Sequence, residues 1–170
     1  MDLVWDSERT DATEDALADL AQLLGLVSQR PERDFGRGSD VLWALSVAKY
    51  AVIEAKSGAT GAMIWKKDIN QLAGSVNWCK TEYGAETTVV PVMMHPTNIV
   101  ERSGTPPSGA RILNGEKLEA LKAAVLAYAT ALAQQDAFRD EGKVGEQLGA
   151  HRLLAGDIIN AYSVAARRQT

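Results

Sequence analysis

The most constraining feature of the sequence is a pair of apolar segments, residues 38–45 and 49–56, separated by a short polar break. Their β-branched and aromatic side chains predict two adjacent strands. If the strands pair antiparallel, the start of the first lies beside the end of the second, so Asp40 comes next to Glu54. Positions two apart share one face of a strand, so Glu54 and Lys56 project together. The pattern predicts two carboxylates and one ammonium at one edge of an apolar sheet.

This predicted cluster of charges indicates a divalent cation. Crowded like charges raise each other's pKa and cost free energy unless something compensates for them. Mg²⁺ would compensate, because it accepts one or two carboxylates together with water and phosphate oxygens. The adjacent lysine would then orient or deprotonate an attacking water, or neutralise charge that develops on a phosphate. These are the groups that metal-dependent phosphodiester hydrolysis requires.

Asp40, a spacer and the sequence Glu54-Ala55-Lys56 at the end of an apolar strand carry a family resemblance. The chain resembles the PD-(D/E)XK nuclease superfamily, which has the restriction-endonuclease-like fold. The resemblance implies that Asp40, Glu54 and the Ala55 carbonyl hold Mg²⁺, for which Mn²⁺ would substitute, and that Lys56 assists the attacking water. Ser39 stands where the family name has proline, which is a common departure.

The resemblance extends to the helices before and after the strand pair. Many members place a polar residue of the following helix near the scissile phosphate or the attacking water, and Gln71 holds that position here. Glu14, on the preceding helix, is the candidate for an additional acidic residue. The alternatives are that Gln71 is an ordinary polar residue on the flank of its helix, and that Glu14 stabilises the helix N-terminus through the helix dipole.

A second Glu-x-Lys sequence, at residues 141–143, serves as an internal control. No apolar strand precedes it and glycines surround it, so the pattern predicts a solvated loop between helices. The copy at Glu54 differs because it has the strand, the upstream Asp40 and the downstream helix. The alternative for the Glu54 copy is a surface hairpin with an ordinary Glu/Lys face.

Basic residues flank the predicted site on both sides. They are Arg30, Arg33 and Arg37 before it, and Lys66 and Lys67 after it. We expect these side chains to contact the phosphates of a nucleic acid rather than its bases. For the three arginines, local ion pairs with the acidic residues among them are the alternative.

The rest of the chain predicts the elements around this strand pair. A helix is expected over residues 11–30, and a second helix, with Trp65 in its buried stripe, ends near Tyr83. A strand over residues 87–94 should lie parallel to the Glu54 strand, because a helix connects the two. His95, directly after it, is expected to be a loop residue.

Three further elements complete the prediction. They are a short edge strand at 110–113, a long helix over 116–135 and a final helix spanning 148–159. The fold class is therefore α/β, with a mixed central β-sheet flanked by helices, which agrees with the restriction-endonuclease-like core followed by two C-terminal helices.

Length and composition limit the remaining possibilities. With 170 residues, the chain fits one domain, 1–170, that is large enough to bury a core. Cys79 is the only cysteine, so no internal disulfide forms and a cytoplasmic location is expected. The net charge of −4 argues against a protein that coats nucleic acid by bulk charge. It is compatible with a nuclease, because the carboxylates that would bind a metal contribute negative charge to the metal-free chain.

Three functional classes follow from these patterns. The first is a Mg²⁺-dependent nuclease with DNA as substrate, RNA being the other nucleic acid considered. The second is a catalytically silent module of the same fold, used for nucleic-acid binding or assembly. The third is an unrelated interaction domain. The intact core motif favours the nuclease, and the resemblance implies a homodimer or a domain of a larger helicase or defence protein.

Overall fold

The computed structural model describes residues 10–134 and 136–170. Its helices are α1 (Thr10–Leu23), α2 (Pro31–Phe35), α3 (Lys66–Tyr83), α4 (Gly115–Gln134), α5 (Glu141–Ala150) and α6 (Ile158–Ala161). Its strands are β1 (Val27–Gln29), β2 (Val41–Ser46), β3 (Lys49–Ala55), β4 (Thr88–Met94), β5 (Ile99–Val100), β6 (Arg111–Leu113), β7 (Val164–Ala165) and β8 (Arg167–Arg168). Helices and strands are interspersed along the chain, as in an α/β fold.

Six strands form one sheet in the order β1, β2, β3, β4, β6, β7, while β5 and β8 pair separately. The pairs β1–β2, β2–β3 and β6–β7 are antiparallel. The central pairs β3–β4 and β4–β6 are parallel. Two parallel strands that follow each other in the chain need a long crossover connection, and helix α3 lies in the one between β3 and β4. The prediction of an α/β fold with a mixed sheet flanked by helices is confirmed.

The hairpin formed by β2 and β3 is buried on both faces of the sheet. Trp43 and Ile53 belong to the apolar cluster that includes side chains of α1 and α4. Leu42 and Val52 belong to a second cluster, which includes side chains of α3. Since residues two apart in a strand share a face, Glu54 lies on the same side of the sheet as Val52. The candidate site therefore forms on the α3 side.

The first helix is shorter than the prediction of residues 11–30. It ends at Leu23, and Gly25 follows with a φ of 79°, a left-handed conformation that glycine adopts without strain. The residues after this turn form β1, which pairs with β2 at the edge of the sheet. The chain then enters the short helix α2 before it reaches Asp40.

The C-terminal third differs from the prediction in three places. Strand β6 is not an edge strand, because β7 pairs with its free side. The predicted final helix is interrupted between α5 and α6, where Arg152 has a φ of 54°. The control sequence at 141–143 forms the first turn of α5 instead of a loop, and Asp140 caps that helix by accepting a hydrogen bond from the Lys143 N–H. Its side chains are exposed, as predicted.

Within the described residues, none of the helices combines the length and the apolar character that crossing a bilayer requires.

Candidate functional site

Asp40 is held at the point where the chain enters β2. Gly38 has a φ of 102°, and a Cβ added there would lie 2.8 Å from the Cβ of Pro31, so this turn accepts only glycine. The Ala55 N–H donates a hydrogen bond to Asp40 Oδ2 over 2.7 Å. Because Ala55 is the last residue of β3, this bond joins the start of one strand to the end of the other. The Asp40 carboxylate is therefore fixed next to Glu54.

Glu54 is a fully buried carboxyl group, with 0% of its surface exposed. Ser75 of α3 donates a hydrogen bond from Oγ to Glu54 Oε1 over 2.7 Å. Burial, followed by the charge of Asp40, raises the pKa of Glu54 from its ordinary 4.5 to about 7, although Ser75 and Lys56 act in the opposite direction. Burial and the nearby carboxylate of Asp40 thus disfavour the charged form of Glu54, whereas positive charge close to it favours that form.

Lys56 brings an ammonium group to both carboxylates. Its Nζ lies 3.3 Å from Glu54 Oε2 and 4.0 Å from Asp40 Oδ2. The Lys56 N–H donates to the Met94 carbonyl over 2.9 Å, which extends the parallel pairing of β3 with β4 by one residue. About 20% of the Lys56 side chain is exposed. The structure thus brings Asp40, Glu54 and Lys56 together at the carboxyl end of β3, with the lysine reaching toward solvent.

Two more carboxyl groups surround Asp40. Burial and the charge of Asp40 raise the pKa of Glu14, on α1, so this candidate lies close to the core residues. A hydrogen bond to Asp40, followed by burial, raises the pKa of Glu32, on α2. Glu32 was missed by the sequence analysis, which treated it only as an ion-pair partner for the arginines.

The three arginines before the site make ion pairs with acidic side chains. Arg30, which is only 4% exposed, pairs with Glu14 and lies 2.7 Å from Asp15. The exposed Arg33 pairs with the same Asp15 over 2.7 Å. Arg37 lies 3.5 Å from a carboxylate oxygen of Glu82. These contacts match the ion-pair alternative, and the burial of Arg30 removes it from the set of side chains presented to a phosphate backbone.

Helix α3 brings Ser75 to the buried carboxylate of Glu54. Gln71 is exposed on its surface, whereas Ser75, one turn later, is buried and bonded to Glu54. Residues four apart are neighbours on a helix, so this i, i+4 relation was the signal available in the sequence. Lys66 and Lys67 are exposed in the first turn of the same helix.

A cavity of about 490 Å³ lies beside Lys56, and its lining includes Thr60, Trp65, Lys67 and His95. It lies where β3 and β4 end, and ligands commonly bind outside the carboxyl ends of parallel strands. His95 is buried, and the Thr97 N–H donates to its Nδ1 over 3.2 Å. Burial lowers the pKa of His95, so its ring is neutral at pH 7. The sequence placed His95 in a loop near the site; the structure places it in the cavity wall.

The donor chemistry at Asp40 and Glu54 fits a hard cation. Carboxylate oxygens are the ligands that Mg²⁺ prefers, and burial together with the charge of Asp40 raises the pKa of Glu54 in spite of its bonds to Ser75 and Lys56. Nowhere in residues 10–134 and 136–170 do three or more His, Cys, Asp or Glu side chains form a group that could hold a metal ion. Asp40 and Glu54 are a pair of carboxylate donors, and the Ala55 carbonyl stays the predicted third ligand.

Comparisons of the chain with protein-family models, curated proteins and solved structures found no match.

Proposed function

We propose that this protein is a Mg²⁺-dependent nuclease that hydrolyses phosphodiester bonds in DNA, and that it belongs to the PD-(D/E)XK superfamily. The observation that carries the proposal is the position of Lys56 Nζ, 3.3 Å from one carboxylate and 4.0 Å from the other. An ordinary surface hairpin would leave these groups in solvent, yet Glu54 is fully buried and Asp40 nearly so. Burying two carboxylates is costly, and a catalytic role accounts for that cost.

Each core residue has a distinct role in this proposal. Asp40 and Glu54, with the Ala55 carbonyl, would hold Mg²⁺, which when bound supplies Lewis acidity and favours ionisation of water. The Ala55 N–H orients Asp40, and Ser75 orients Glu54, so neither carboxylate has to reorganise. Lys56 is the partly exposed group of the three. Its ammonium would contact the attacking water or a non-bridging phosphate oxygen.

The burial of Glu54 also favours a second candidate, the catalytically silent module. Ser75 and Lys56 already hydrogen-bond both of its carboxylate oxygens, so the present arrangement is complete without a metal. In that case the charge cluster would only maintain the end of the hairpin. The chain would then bind nucleic acid, or assemble with a partner, without cleaving it.

Incubation of the purified chain with supercoiled, linear and single-stranded DNA and with RNA separates the two candidates. Each substrate is tested with Mg²⁺, with Mn²⁺ and with EDTA. The nuclease proposal expects cleavage with either metal and none with EDTA. If the folded chain cuts none of these substrates with any metal, while still binding one of them, the silent module replaces the nuclease.

A further inference from the structure

The cavity beside Lys56 has a half-exposed aromatic side chain in its wall. Trp65 is 49% exposed, although the sequence predicts it in the buried stripe of α3. It precedes the helix, in the N-cap position, instead of lying on the buried face. A Cβ added to Gly61 would lie 3.6 Å from the indole nitrogen, so the ring lies against the loop that follows β3. One part of the indole is thus supported while another faces solvent.

Lys67 brings a positive charge to this wall. Lys56 and Asp68 also line the cavity, but Lys56 already pairs with Glu54 and Asp40, so Lys67 is the ammonium group placed to contact an added phosphate. The neutral His95 adds a ring that can hydrogen-bond. An aromatic face next to ammonium groups is the combination with which proteins bind single-stranded nucleic acid, because bases stack on the ring while the cations contact phosphates.

The size and position of the cavity limit which nucleotide it can accept. About 490 Å³ is the size of a small-molecule site, which is enough for one nucleotide unit. A base inside a duplex presents only its edge to a groove, and it must leave the stack to meet an aromatic side chain face to face. Lys56 belongs both to this cavity and to the carboxylate pair. A nucleotide bound here would therefore lie next to the phosphate under attack.

We infer that this cavity binds an unpaired nucleotide, with its base on Trp65 and a phosphate near Lys67, so that the substrate is single-stranded nucleic acid or the unpaired part of a duplex. This inference rests on the proposed nuclease function for its account of why the cavity adjoins Lys56. The binding itself does not depend on cleavage. The two can therefore fail separately.

Binding is measured on the intact chain in EDTA, by fluorescence anisotropy of labelled oligonucleotides of equal length. The probes are oligothymidylate, oligouridylate, a blunt DNA duplex and an abasic oligonucleotide that keeps the phosphates but lacks the bases. We expect the single strands to bind at least about tenfold more tightly than the abasic strand and the duplex, because stacking contributes about that factor per base. The comparison of oligothymidylate with oligouridylate shows whether DNA or RNA is preferred.

Variants locate the binding at the indole. Trp65→Ala should weaken binding of the single strand about tenfold, and Trp65→Phe should restore most of it, because phenylalanine keeps an aromatic face. Phe138→Ala, which removes another exposed aromatic ring far along the chain, should leave the affinity unchanged. Circular dichroism checks that each variant folds.

The outcomes separate this inference from the proposed function. Equal affinity for the base-containing and abasic strands overturns the inference, whether or not the variants fold. So does an unchanged affinity in folded Trp65→Ala. Binding that depends on Trp65, together with a complete lack of cleavage in Mg²⁺ and Mn²⁺, supports the nucleotide site and overturns the proposed hydrolysis.

Discussion

The chain contains the Glu-x-Lys pattern twice, and the two copies occupy opposite environments. At the end of β3, Glu54 is fully buried and hydrogen-bonded, with its pKa raised to about 7. At the start of α5, Glu141 and Lys143 are exposed, and only the backbone of Lys143 is used, to complete a helix cap. The same three-residue pattern is thus a charge cluster in one place and part of a solvated helix end in the other.

The difference comes from what lies on either side of each copy. In a strand in the interior of a sheet, alternate side chains lie in a buried layer. The buried carboxylate of Glu54 therefore needs hydrogen-bond donors, which are Ser75 and Lys56. The first turn of a surface helix instead leaves its side chains in water, where a carboxylate near the helix N-terminus is favourable without any partner. The Glu-x-Lys pattern therefore forms a charge cluster only where the fold buries its side chains.

Removing the lysine of each copy should give the largest difference. Lys56→Ala should reduce DNA cleavage by about 10²–10⁴-fold, the loss typical of an acid–base or charge-stabilising group. Lys143→Ala should cleave as fast as the wild type. Plasmid cleavage rates, with circular dichroism to check folding, test the pair. Equal rates for the two variants would show that the β3 copy is not catalytic.

Metal binding should distinguish the acidic neighbours of the two copies. Asp40→Ala should weaken Mn²⁺ binding by about a hundredfold or more, because even the loss of an outer contact to a metal ligand costs about 10- to 100-fold. Asp140→Ala should bind Mn²⁺ normally and lose about 1 kcal/mol of stability through its helix cap. Calorimetric titration of the intact chain provides both affinities. Normal Mn²⁺ binding by Asp40→Ala would remove that residue from the site.

The two glutamates should respond differently to pH in the absence of metal. Because folding raises the pKa of Glu54 from 4.5 to about 7, the folded state binds the proton more tightly than the unfolded chain does. The stability that the folded state gains from this tighter proton binding is fully present below pH 4.5 and is lost as the pH rises through about 7. Glu54→Gln should therefore stabilise the metal-free protein at pH 8 by on the order of 2 kcal/mol, and by much less near pH 4.

Glu141→Gln is the matched control for that prediction, because its carboxylate is exposed. Its stability should change by less than about 0.5 kcal/mol at either pH. Urea unfolding measures the stability of each of the two variants relative to the wild type, at pH 4 and at pH 8. A Glu54→Gln protein that is less stable than the wild type at pH 8 would mean that the carboxylate is well compensated, contrary to the raised pKa.

The smallest expected effect concerns the lysines near the site. Lys67→Gln should reduce the salt dependence of DNA binding by about one unit of slope, as expected for one lost phosphate contact. Lys122→Gln, on α4 and paired with Glu119 over 2.8 Å, should leave the slope unchanged. Titrations at several salt concentrations test this prediction, and identical slopes for the two variants would contradict it.

The sequence predicted the parts of the fold that have a long, regular pattern. Strands β2, β3 and β4 and helices α3 and α4 follow from apolar periodicity that extends over many residues. Strands β1, β7 and β8 have only two or three residues, so they show no period, and they form because distant segments lie alongside them. For the same reason, β6 was predicted at the edge of a sheet in which β7 covers it.

In the candidate site, too, some residues follow from local sequence patterns and others depend on packing between distant segments. The positions of Asp40, Glu54 and Lys56 followed from strand spacing and one antiparallel pairing. The roles of Ser75 and Glu32 depend on how α3 and α2 pack against the sheet, which local spacing does not specify. Trp65 is predicted in the buried stripe because of its helical spacing from Ile69, but it precedes the first turn of α3 and is 49% exposed.

The backbone of the site belongs to an interior strand of the sheet, and this has a consequence for its motions. At the carboxyl end of β3, which lies between β2 and β4, the amides of Ala55 and Lys56 donate to Asp40 and to Met94. Amides in such positions exchange with solvent only when a large part of the fold opens, whereas loops exchange through local fluctuations. In D₂O, both amides should therefore retain their protons among the longest in the chain. The amides of residues 58–61, which line the cavity, should exchange earlier, so the end of β3 that carries Glu54 stays closed while the loop beside it opens.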